Sequence, residues 1–185
     1  MPDARLNEAN RRRELGESCR RRREPAAAIA AYEGGVALLR TLEHPLQLAH
    51  TIRHPGDVHM EAARPALTAP LYREALGLYR ANPDPPALDF ANAIRSLAIL
   101  EGQTGAPADA IALWREAGSL YELTGISAGV AECERRIEAL SIPIAGCREV
   151  FPRLCGVWKS AAKRVIPNMC RNANCACGSP HSRCR

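Results

Sequence analysis

Three stretches of the chain carry the same alternation of apolar and polar positions: AAAIAAYEGGVALLR at 26–40, ALTAPLYREALGLYR at 66–80 and PADAIALWREAGSLY at 107–121. Apolar residues recur at helical spacing in each, the pattern of an amphipathic helix. Aligned on their aromatic residue, the anchors are Tyr32, Tyr72 and Trp114, at spacings of 40 and 42. In that register Gly35, Ala75 and Ala117 follow three residues later, and Ala28, Thr68 and Ala110 stand four residues earlier. A fourth small column, Gly16, Gly56 and Ala98, lies sixteen residues before the aromatic. Small residues let two helix backbones approach, and an aromatic ring fills the space beside them. The columns therefore predict three helix pairs, with first helices at 9–22, 46–62 and 88–103 and second helices at 25–41, 65–81 and 107–123.

Punctuation fits this division. Pro25, Pro65 and Pro107 open the second helices, where a missing N–H costs nothing. His44-Pro45 and Asn82-Pro83-Asp84-Pro85-Pro86 separate the pairs. A last helix at 127–140 covers the third pair, and Glu132, Glu134, Arg135, Arg136 and Glu138 give it a polar outer face.

The small–small–aromatic–small signature over residues 9–140 resembles the tetratricopeptide repeat family, in the longer form seen in kinesin-light-chain-type repeats. The resemblance implies an all-α fold, an α-α superhelix of three helix pairs plus a capping helix. Two departures stand out. Pro55 falls inside the first helix of the second pair and is expected to kink or break it, at about 3 kcal/mol. Arg23 occupies a position where the family prefers a turn glycine, and the charged run NRRRELGESCRRRRE predicts a first helix prone to fraying.

The resemblance also implies a function: a non-enzymatic scaffold that holds a peptide or protein partner on the concave face. In the family that face is lined by the first helix of each pair. Carried onto this chain, one lining column is Asn10, His50 and Asn92, and the next is Arg13, Arg53 and Arg95. Three guanidiniums in register suit carboxylates, which points to an acidic segment or a free C-terminal carboxylate as partner. The competing reading is a solvated face, because the chain has 23 arginines against two lysines, and Glu14, Glu17 and Asp57 stand close enough to neutralise the ladder. The sequence leaves open whether the repeats stand alone or stack on a second copy.

Composition divides the chain once more. Residues 1–141 carry 17 basic residues against 19 acids, while residues 142–185 carry 8 against one, so the net +5 belongs to the tail. Six of the 8 cysteines are in the tail too. The expected domains are thus a repeat domain at 1–141 and a basic, Cys-rich, irregular and poorly ordered segment at 142–185. Within it Cys170, Cys175, His181 and Cys184 form a weak zinc-like set, with a short interval between the pairs and Cys177 surplus. A metal- or nucleic-acid-associating tail is the alternative function, with nucleic acid the less favoured partner. His50 and His54 are four apart, but no third ligand follows at a clean spacing, so they read as ordinary surface or packing histidines. No nucleophile elbow, phosphate loop or His-Glu-x-x-His motif occurs, and no cofactor is expected. The polar first residues and the lack of an 18-residue apolar run point to a cytoplasmic protein without a membrane partner.

Overall fold

The computed structural model describes residues 2–142. Every regular element among them is an α-helix: α1 Pro2–Arg21, α2 Pro25–Leu39, α3 Pro45–Glu61, α4 Pro65–Ala81, α5 Ala87–Thr104, α6 Pro107–Leu123 and α7 Ser127–Ser141. Each helix packs on the next in sequence, and α3 also touches α5. The pairing within α1–α2 is antiparallel. Gly16, late in α1, lies under the ring of Tyr32, whereas Gly35, late in α2, faces Ala9 and Arg12 in the middle of α1.

All four sequence columns are buried. The reason is visible at the glycines: a Cβ on Gly16 would lie 2.6 Å from the Tyr32 ring, and one on Gly56 2.6 Å from the Tyr72 ring. The main core joins the second and third pairs to α7 through Tyr72, Leu76, Ile94, Leu97, Leu100, Trp114, Tyr121 and Cys133. A smaller cluster of Cys19, Ala28, Tyr32 and Val58 joins the first pair to α3.

The turns repeat as faithfully as the helices. Four helix ends close with the same long backbone bond, in which the amide of Glu24, Arg64, Ala106 or Ile126 donates to the carbonyl five residues back at 2.9–3.0 Å. That closure needs one left-handed residue. It is Gly105 and Gly125 in two turns, but Arg23 (φ 61°) and Ala63 (φ 53°) in the other two. The links after α2 and α4 are longer, and Pro45 sets the start of α3. Between pairs, Arg40, the residue that caps α2, donates to Glu74 of α4 at 2.7 Å, and Arg80 of α4 to Glu116 of α6 at 2.7 Å. Both are the same rung: an arginine eight residues after one aromatic anchor meets a glutamate two residues after the next.

Two expectations are corrected. Helix α3 runs unbroken through Pro55. The ring is buried in the packed face between Ile52 and Val58, so tertiary packing offsets the lost backbone bond. A second internal proline, Pro70, sits exposed in the first half of α4. Helix α1 also starts earlier than residue 9 and is continuous from Pro2. Part of its charge is matched within the helix, with Glu8 accepting from Arg11 and Arg12, and Arg13 pairing with Glu17. Among the described residues no helix is long and apolar enough to cross a membrane.

Candidate functional site

The first helices of the pairs, α1, α3 and α5, carry the ladder, and the structure shows where each of its arginines is spent. Arg13 pairs with Glu17 one turn on. Arg53 donates to Asp57 at 2.9 Å, again one turn on. The same offset from Arg95 reaches Ile99, which cannot accept, and α7 supplies the carboxylate instead: Glu132 accepts from Arg95 Nε at 2.7 Å and Nη2 at 2.9 Å. These bonds hold the Glu132 carboxyl below its usual range and raise the Arg95 guanidinium.

Asp57 is a junction. Besides Arg53 it accepts from Arg20 of α1 at 3.3 Å and from the Tyr72 hydroxyl at 2.8 Å. Arg20 also donates to Glu61 at 3.0 Å. The first and second pairs are thereby tied through one largely buried carboxylate. Asn92 is likewise committed, its Oδ1 accepting from the Tyr121 hydroxyl at 2.8 Å.

His50 and His54 share a face of α3, with Nε2 atoms 3.3 Å apart. The rings meet edge to face, and His54 stacks on Tyr32 at 5.2 Å between centroids. Burial, reinforced by the Arg53 charge, holds His54 down to about 2, so it is neutral at any ordinary pH. His50 is also lowered, chiefly by burial, with Asp89 pulling the other way. Burial pushes Tyr32 up to about 12. Neither the Tyr32 hydroxyl nor His54 Nδ1 has a partner among the described residues.

Of the six residues that the sequence placed in the groove, the structure brings Asn10, Arg13 and His50 together. They line a cavity of about 270 Å³ with Leu46, Gln47, Thr51, Tyr79, Pro86 and Asp89. Arg53, Asn92 and Arg95 are not among its walls. Gln47 and Asp89 were missed, although a signal existed: they stand three residues before His50 and Asn92, as Asn7 stands before Asn10, so a third polar column runs one helical turn ahead of the ladder. A second cavity, of about 510 Å³, opens at the other end of the histidine pair, walled by Arg20, Arg21, Arg23, Glu17 and Glu61 with Tyr32 and His54.

Among the described residues no group of three or more His, Cys, Asp or Glu is placed to hold a metal ion. Cys170, Cys175, His181 and Cys184 lie outside the described residues. No protein-family model matches the chain, and no curated protein matches its sequence.

Proposed function

We propose that this chain is an interaction module of the tetratricopeptide type, a superhelix of three helix pairs closed by α7, which holds an extended peptide segment of a partner protein and carries out no reaction of its own. Three repeated features support the repeat reading: the buried columns, the shared turn closure and the ion-pair rung that recurs between successive pairs. Buried thiols at Cys19 and Cys133 accord with a reducing, cytoplasmic setting.

The observation that carries the binding reading is the cavity between α1, α3 and α5. Its walls include two side-chain amides, the half-buried Asn10 and the solvent-exposed Gln47. Each offers a donor and an acceptor, the complement of a peptide group in an extended chain. Leu46 and Pro86 supply apolar contact beside them. The matched pairs around the cavity fix the helices, so the walls are formed before the partner arrives.

Selection of a displayed random-heptapeptide library against the full chain tests this. Selected peptides are expected to lose at least tenfold in affinity when Asn10→Ala is combined with Gln47→Ala, with the helical circular dichroism unchanged. Peptides that bind the double variant as well as the original would remove the cavity from the account.

A further inference from the structure

Three arginines in register predict an acidic partner, yet the charge left over in the cavity is negative. Arg13, the one arginine in its wall, is held by Glu17. Arg53 and Arg95 stand outside it and are bound to Asp57 and Glu132. Burial, with the cations Arg53 and Arg13, disfavours a charge on His50, against the pull of Asp89. That leaves Asp89, in the first turn of α5. Its side chain is 41% exposed, and its contact with His50 Nδ1 is 3.6 Å, longer than a hydrogen bond.

An acidic ligand entering here meets Asp89, and the one guanidinium in the wall already has its charge balanced by Glu17. To bind it, Arg13 would have to serve two carboxylates while Asp89 repels the second. A cationic side chain meets no such penalty. It gains a half-exposed carboxylate, while its aliphatic stem lies along Leu46 and Pro86.

We infer that the peptide bound in this cavity presents a basic side chain, arginine or lysine, to Asp89, with its backbone held by Asn10 and Gln47. This rests on the reading of the cavity as a peptide site. The guanidinium or ammonium supplies the charge, Asp89 selects it, and the three ladder arginines serve the fold rather than the ligand.

The same displayed library, selected in parallel against the full chain, Asp89→Asn and Asp89→Lys, tests the sign of the charge. The original chain should enrich arginine or lysine at one position, and replacing that residue by glutamine in a selected peptide should weaken binding at least tenfold. Asp89→Asn should abolish the enrichment, and Asp89→Lys should replace it with aspartate or glutamate. Acidic enrichment by the original chain would overturn the inference, as would basic enrichment that persists in Asp89→Asn. If such peptides still depend on Asn10 and Gln47, the cavity reading stands without it. A library that yields nothing above background would overturn both.

Discussion

The first helix pair and the third share one register and are held quite differently. Around Trp114 in the third pair, the inner helix contributes Ile94, Leu97 and Leu100, all buried, and α7 closes the far side with Cys133. In the first pair the positions equivalent to Ile94 and Leu97 are Arg12 and Leu15, both exposed, with Leu15 at 53% against 7% for Leu97. In the second and third pairs a preceding helix packs on the first helix, α2 on α3 and α4 on α5, and the equivalent positions Ile52, Pro55, Ile94 and Leu97 are all buried. The anchor columns thus set the backbone, while the flanking columns decide how firmly each pair is attached. The first pair holds to the rest by Tyr32 on His54, by Val58, and by the Arg20 and Arg40 ion pairs. The cavity straddles that joint, taking Asn10 and Arg13 from one side and Gln47, His50 and Asp89 from the other.

The two pairs should differ most at their anchors. Trp114→Ala should cost about 3–5 kcal/mol and lower amide-exchange protection throughout α3–α7. Tyr32→Ala should lower protection in α1 and α2 while α5 and α6 keep theirs. Equal loss everywhere in both variants would mean that the pairs are held alike.

Acid should act on the same joint. The folded chain keeps His54 neutral down to about pH 2, whereas an unfolded histidine takes a proton near 6.5. Between those values the unfolded state binds the extra proton, so stability is full above about pH 6.5 and falls as pH drops below it. For His54 alone the loss reaches about 2 kcal/mol by pH 5. The groups facing it are Arg13, Glu17 and Arg20 on α1, Tyr32 on α2, and His50, Arg53 and Asp57 on α3. Asp57 is the carboxylate nearest its ring nitrogen, at 3.8 Å, too far for a hydrogen bond. Denaturation at pH 7.5 and 5 should show this slope, and His54→Phe, which keeps a ring against Tyr32, should flatten it. An unchanged slope would place the acid sensitivity elsewhere.

Smaller effects follow from the turns and the glycine contacts. Gly56→Ala drives a methyl into the Tyr72 ring and should cost about 1–3 kcal/mol by thermal melt. Ala63→Gly relieves a left-handed alanine and should stabilise by about 1 kcal/mol, a rise of a few degrees in Tm. A drop in Tm instead would show that the turn tolerates its alanine without strain.

Much of the fold was legible because it depends on local pattern. Every helix was placed within a few residues at its ends apart from the start of α1, because prolines at Pro25, Pro45, Pro65 and Pro107 mark boundaries in the sequence itself. The behaviour of Pro55 was not legible, because whether a helix survives an internal proline depends on the tertiary contacts around it. The site was half legible. The lining columns came from the family resemblance carried onto the register, and three of their residues, Asn10, Arg13 and His50, fall together at one cavity. Register could not show that Ile99 would leave Arg95 to Glu132 on α7, or that Tyr121 would occupy Asn92, since both partners lie about 30 residues or more away in the chain. Nor could it reveal the sign of the cavity, which depends on which charges are already paired.

The claim that this joint holds a peptide is most directly tested by amide and side-chain chemical-shift mapping of the full chain with a peptide selected from the library. The largest shifts should fall on Asn10, Gln47, His50 and Asp89, on both sides of the joint between the first and second pairs. Shifts confined to α6 and α7, or to residues beyond 142, would contradict the account.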